Sequence, residues 1–240
     1  MTRLGLRAGF EPRDDQPSMA WEGGTWLTAR QAARLPPNAI NGRCVDISKS
    51  RVADTWARVA GYPLTVDPLT FEGPLVEKPE ENGRHGGRVV IGPLTRRRNG
   101  WVYQRLVDCR IGDQVHQMRV LVTGRRLALA YEKWRPVPEW FSGTRISVPR
   151  TADALLSPAE QELLLRFTAD MDMDYAELDL LRDEPSGLIY VVDANRTPTR
   201  AQNLPEKDWA PVYDTQAAAF RELLMPWGLA NLPLREAAAL

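Results

Sequence analysis

Three side chains late in the chain have the types and spacing of a cation site. They lie in LDLLRDEPSGLIYVVDAN, where two strand-like runs flank the turn Glu184-Pro185-Ser186-Gly187. A turn centred near Pro185 puts Asp179 opposite Val191 and Asp193 opposite Glu177. Asp179, Asp193 and Asn195 share parity, so all three point to one sheet face. Diagonal neighbours across a strand pair are about 7–8 Å apart at Cα, close enough to reach one ion. Two carboxylates and an amide oxygen repel each other unless a positive charge sits between them. Magnesium fits, because it takes hard oxygen ligands and combines a few carboxylates with substrate phosphates. For the hairpin alone, a solvated polar face is as good an explanation. Against that, LIYVVDAN is apolar at both parities before Asp193. Such a strand is covered on both faces, where an unpaired Asp is costly.

A second constellation is basic and glycine-bearing. VEKPEENGRHGGRVV ends a strand at Lys78 and continues into a polar loop with Gly83, Gly86 and Gly87. Glycines let backbone N–H groups approach phosphate oxygens, and a lysine adds a point charge. Taken alone, the segment is equally a plain hairpin loop, and it is not a Walker A sequence. Lys49 opens a helix. Arg119, Lys133 and Arg135 lie on strands, with Arg119 and Lys133 at positions that alternation can aim inward. His85 and His116 read as loop or structural residues. Arg96-Arg97-Arg98, followed by Asn99-Gly100, reads as a solvated loop tip.

The elements that must position these groups are legible from caps and alternation. Thr28 caps TARQAARL, which Pro36-Pro37 stops. Asp46 or Ser48 caps KSRVADTWARVA, with Val52, Trp56 and Val59 on one face and Gly61 as its C-terminal glycine. LVEK, RVVIG, WVYQRLV, VHQMRVLVT and LALAYEKW are strand-like, the last two a hairpin at Gly124. Ser157, Pro158 and Glu160 form a capping box with proline at the first helical position. After the hairpin AELDLLRD/GLIYVVDANRTPT, a last helix runs from Thr215 to Met225, capped by Asp214 and stopped by Pro226. The Ala-rich tail frays.

Composition narrows the class. The chain has 240 residues, 43% hydrophobic and 26% charged, as in a soluble globular protein. Lys plus Arg number 31 and Asp plus Glu 31, so no global field points to nucleic acid or a membrane. Two cysteines outside any CxxC pair and two histidines argue against zinc. The first residues carry no apolar signal segment and no run approaches eighteen apolar residues, so the expected location is cytoplasmic.

Together these motifs resemble the ATP-grasp superfamily over about two-thirds of the chain. LDLLRD, a turn, then IYVVDANRTP resembles that superfamily's metal-binding end. The resemblance implies Asp179, Asp193 and Asn195 as magnesium ligands, with Thr197-Pro198 following. Many members have Glu where this chain has Asp193. Lys78 and the Gly83–Gly86–Gly87 loop match the phosphate flap. Lys49, before a helix and the turn Gly61-Tyr62-Pro63, matches the earlier nucleotide lysine. VYQRLVD matches the linker that cups adenine through backbone groups of Gln104, Arg105 and Leu106. Arg119, Lys133 and Arg135 then hold the γ-phosphate and the transferring group.

The implied fold is α+β, with antiparallel-rich sheets and packed helices sandwiching a nucleotide. It divides into a shortened N-terminal region (1–41), a small lid with the flap (42–107) and a larger ATP- and metal-binding part (108–240). The implied cofactors are ATP and Mg²⁺, and the implied activity is ADP-forming ligation through an acyl phosphate. A phosphotransferase acting on a hydroxyl, or a non-catalytic nucleotide-binding module, uses the same residues. The expected acceptor is a small molecule or peptide. The shortened N-terminal region implies that acceptor recognition is reduced, replaced or supplied by a protein partner.

Overall fold

The computed structural model describes residues 16–21, 24–84, 86–141, 143–198 and 203–229. His85 and the Ala-rich tail lie outside them. Strand content dominates. Strands β1 (Gly73–Pro79), β2 (Arg88–Gly92) and β3 (Trp101–Arg105) form a small antiparallel sheet in the order β2-β1-β3. The larger sheet holds β4 (Arg110–Ile111), β5 (Gln114–Thr123), β6 (Arg126–Pro136), β7 (Ile146–Arg150), β8 (Tyr175–Arg182) and β9 (Ile189–Asn195). Its main path is β7-β6-β5-β8-β9, with β4 paired to β5.

The helices form where the capping chemistry puts them. Helix α1 (Ala29–Ala32) starts at Thr28 in a capping box with Gln31. Ser48, rather than Asp46, caps α2 (Lys49–Ala60) by accepting from the Arg51 amide. Gly61 ends α2 with φ 83°, in the left-handed region that favours glycine. Ser157 and Glu160 close the capping box of α3 (Pro158–Asp170). Helix α4 corrects the expected boundary, for it spans Trp209–Leu223 and Asp214 lies inside it. Pro211 sits in its first turn, where a missing N–H costs nothing, so the helix begins before the expected cap.

The main core lies between the large sheet and helices α2 and α3. Trp56 and Val52 of α2 meet Phe167 and Leu164 of α3 over Met118, Val120, Leu178, Leu180 and Val191. Helix α2 thus packs on the larger sheet, although it was expected to group with the small lid. On the other face of that sheet, α4 covers Leu121, Leu129 and Tyr131 through Val212. Arg119 and Lys133 lie on that same face, next to the α4-covered apolar half. Arg119 is paired with Tyr131, and Gln117 with Lys133, across β5 and β6.

Candidate active site

The β8–β9 register differs from expectation in one respect. A β-bulge between Asp179 and Leu180 gives β9 one extra residue, so Asp179 opposes Asp193 directly and Glu177 opposes Asn195. The shared face survives, but the two carboxylates are nearest neighbours rather than diagonal ones. Their repulsion is relieved by cations arriving from four other elements.

Asp179 is met from β5 and β6. Arg119 grips it with Nε to Oδ1 at 2.8 Å and Nη2 to Oδ2 at 2.9 Å. Lys133 Nζ lies 3.3 Å from Oδ1. Arg119 Nη1 is also 3.5 Å from Glu177 Oε2. These pairs form because β8 lies beside β5, which sets Arg119 opposite Asp179. Burial alone would raise the Asp179 carboxyl. Arg119, then Lys133, reverse that and hold it well below the usual carboxylate range. Burial pulls Lys133 below the ordinary lysine value in spite of Asp179.

Asp193 is met from the small sheet and from α2. Burial raises its carboxyl above the usual range, and the nearby charges of Lys49 and Lys78 offset this only in part. Lys78 reaches across from β1 and donates to Val192 O at 2.8 Å. Burial, with Lys49 nearby, lowers its ammonium from 10.5 to about 8 although Asp193 pulls the other way. Lys49 is 5% exposed and donates to Glu81 O at 2.5 Å. Glu77, the residue before Lys78, faces away and binds Arg88 and Arg98. Lys78 is therefore not neutralised by its neighbour in sequence.

The remaining expected residues divide. Asn195 shares the carboxylate face, but its Oδ1 accepts from Thr197 N at 3.0 Å and Thr197 Oγ1 at 2.8 Å. Arg135, two residues beyond Lys133, donates to Trp140 O and Gln117 Oε1 rather than to a carboxylate. Gly83 and Gly86 take φ of 72° and 126°, in a region that suits glycine. Gly87 is small for a different reason: a Cβ there would stand 3.2 Å from the Phe141 ring. The Arg105 amide, expected to face a ligand, donates instead to Leu64 O. Leu106 follows β3 directly, partly buried.

Sequence reasoning missed the Gln104 side chain. It is 3% exposed, and its Nε2 has no hydrogen-bond partner. Gln104 pairs with Val76 and Val102 with Lys78, so Gln104 lies on the face of the small sheet that carries Lys78. Only the register reveals this. His116 lies on the opposite face of the large sheet, stacked on Trp134 at 4.2 Å, as a structural residue would be. Arg98 is more than a solvated loop residue, since it stacks 3.7 Å over Trp101 and binds Glu77.

Among the described residues, no three His, Cys, Asp or Glu side chains are gathered as a ready-made metal site. No protein-family model matches the sequence, and no curated protein matches it. Solved structures do match. One is the ATP-grasp ligase PsnB complexed with minimal precursor, Mg and ADP, with TM-score 0.51 and 16% identity over 76% of this chain and 62% of that one. Another is the VanG D-Ala:D-Ser ligase from Enterococcus faecalis, with TM-score 0.52 and 14% identity over 77% and 62%. The fold is ATP-grasp. The chain spans less than two-thirds of the PsnB and VanG chains, 58% of one PsnB structure and 62% of VanG.

Proposed function

We propose that this ATP-grasp chain binds ATP with Mg²⁺ and activates a carboxylate for attack by an amine or thiol. The observation that carries this reading is that Lys49 of α2 and Lys78 of the small sheet bring their charges near Asp193, while Arg119 and Lys133 of the large sheet hold Asp179, its cross-strand neighbour. Cations outnumber carboxylates there, which suits a polyphosphate. Lys78 and Lys49 would hold the α- and β-phosphates, while Gly86 and Gly87 would offer backbone N–H groups. Arg119 and Lys133 would take the γ-phosphate, with Arg135 behind them holding the Trp140 turn. The unpartnered Gln104 side-chain amide, with the backbone of Leu106 just beyond β3, would line the base.

The donor set fits magnesium. Asp179 is held ionised, Asp193 opposes it, and Asn195 on the same face would add its amide oxygen on release from Thr197. Few protein ligands are needed, because Mg²⁺ takes the rest from phosphate and water. Once bound, the ion would neutralise charge on the transferring phosphoryl group. In the proposed reaction an acceptor carboxylate oxygen bonds to the γ-phosphorus as the bond to ADP breaks. The amine or thiol then bonds to the acyl carbon, phosphate leaves, and the nucleophile's proton passes to solvent. The chain's own part is positioning and charge neutralisation.

PsnB is described with a precursor peptide, and VanG joins D-Ala to D-Ser. A peptide or amino-acid acceptor is accordingly the first class to try. A screen of ADP and phosphate release against carboxylate, amine and sugar libraries tests the reading. Ligation frees inorganic phosphate; transfer to a hydroxyl releases ADP alone.

Two further outcomes are expected. Asp193→Asn and Asn195→Ala should each weaken Mg²⁺-dependent ATP binding while leaving the protein folded, as calorimetric titration can measure. Unchanged affinity for both ATP and Mg²⁺ in the two variants would sink the metal assignment. The second concerns pH. Lys78 binds phosphate only as the ammonium, and burial lowers its pKa to about 8 in the free protein. A phosphate raises that pKa, so binding takes up a proton and affinity falls as pH rises through about 8. Calorimetry on either side of that pH, in buffers of different ionisation enthalpy, reads both effects. They should vanish in Lys78→Met, and a pH-independent wild type would refute the contact.

A further inference from the structure

Strand β9 ends the large sheet, and among the described residues its outer edge has no strand partner. Open edges are usually covered or charged. Here two side chains of the small sheet and its loop take the carbonyls of alternate residues along that edge. Lys78 Nζ donates to Val192 O at 2.8 Å, and Asn82 Nδ2 donates to Ala194 O at 3.1 Å. Ala194 stands between Asp193 and Asn195.

Asn82 is also held from behind. Its backbone N–H donates to Thr25 Oγ1 at 2.7 Å, and Thr25 is 6% exposed. Thr25 is fixed in turn by Ile47 N, which donates to its carbonyl just ahead of α2. The residues before Asn82 are tied equally firmly. Glu80 O accepts from Lys49 N, and the Glu80 carboxylate accepts from Ser50 N and Ser50 Oγ. Lys49 Nζ holds Glu81 O. Beyond Asn82 the character changes at once. Gly83 is left-handed, its amide donates to Asn82 Oδ1 at 2.7 Å, and Arg84 is largely exposed.

The two edge contacts differ in what a nucleotide would do to them. A lysine ammonium is drawn toward phosphate and away from Val192 O by its charge, whereas an amide has no charge to draw it away. We propose that Asn82 is a positioning residue: it fixes the root of the glycine flap to the strand carrying Asp193 and Asn195, and stays in place when Lys78 moves. The hinge then lies between Asn82 and Gly83. The N-terminal segment takes part through Thr25, as the support of the flap rather than as a binding surface. This rests on the ATP reading above and adds to it the residue that sets where the flap closes.

The test uses the full chain, a nonhydrolysable ATP analogue with Mg²⁺, and two variants that change no charge. Asn82→Ala removes the tether to Ala194. Thr25→Val removes the tether behind Asn82 and keeps the side-chain shape, so it serves if Asn82→Ala does not fold. Both should lose roughly fivefold in analogue affinity, the worth of about one hydrogen bond. In both, the analogue-induced hydrogen-exchange protection of residues 83–88 should shrink, while α2 and β5 keep theirs. A merely structural role would lower the melting temperature and leave that nucleotide-dependent protection intact. Wild-type affinity and wild-type flap protection in both variants would overturn the proposal alone. A wild-type protein that binds no analogue would overturn the ATP reading and this inference with it.

Discussion

Lys78→Met should lose about 1.5–3 kcal/mol of ATP binding, the range for a hydrogen bond to a charged group. That is roughly a tenfold to hundredfold loss in affinity. Stability should change less, because methionine keeps much of the apolar stem's packing, Val192 O loses one donor, and Asp193 keeps the charge of Lys49 nearby. The geometry explains why the effect should concentrate in binding. Pro79 biases Lys78 toward extended backbone, and β1 alternation turns Glu77 to the opposite face, where Arg88 and Arg98 occupy it. Burial already disfavours the ammonium enough to bring its pKa to about 8. A charge kept at that cost, resting on a single carbonyl, gains much from an anion. Arg97→Met is the control. Arg97 is 58% exposed and pairs with Asp67 in the outer loop, so its loss should barely register. Titration of folded variants decides the matter. If Arg97→Met loses ATP and Lys78→Met does not, the phosphates lie elsewhere and the flap assignment falls.

What the chain discloses before folding is local chemistry. The Ser157–Glu160 box, the Ser48 cap and Gly61 could be read because each is a contact within four residues. The acidic hairpin was legible because strand alternation needs only a turn and parity. Its register was not, since the bulge at Asp179 and Leu180 depends on the packing of both faces. Strand β7 escaped notice because it is short and contains Pro149, which an edge strand tolerates. The early start of α4 escaped for a similar reason, Pro211 being harmless in a first turn.

The least legible part of the site is its pairing. Arg119 and Asp179 are sixty residues apart, and nothing local says that β5 will lie beside β8. Asn82 looked like one more polar loop residue, and Gln104 like a backbone contributor. Their importance comes from which edge or face the register gives them. Types and spacing thus named most of the charged groups, whereas their partners are a property of sheet order.

That pairing leads to the other large expected effect. Arg119→Met should destabilise the fold by about 3 kcal/mol, because removing one partner leaves a mostly buried carboxylate short of its counter-charge. Asp179 keeps only Lys133 at 3.3 Å, and its side chain is 15% exposed, too little for water to replace a bidentate guanidinium. The double variant Arg119→Met/Asp179→Leu should cost less than the two single changes together, with a coupling of at least about 1 kcal/mol. The pH dependence has a definite sign. A carboxyl held below its ordinary value contributes stability that is present above the unfolded pKa of about 3.9 and is lost as pH falls toward the folded value. The gap between wild type and Arg119→Met should therefore be full near neutral pH and close progressively below about pH 4. Denaturant titrations of the four proteins across that range measure both quantities. Additive costs, or a gap that persists in acid, would mean that Arg119 does not hold Asp179 ionised. The proposed site needs that ionised oxygen, because magnesium and the γ-phosphate would divide this ion pair between them: the cation on Asp179, the phosphate on Arg119.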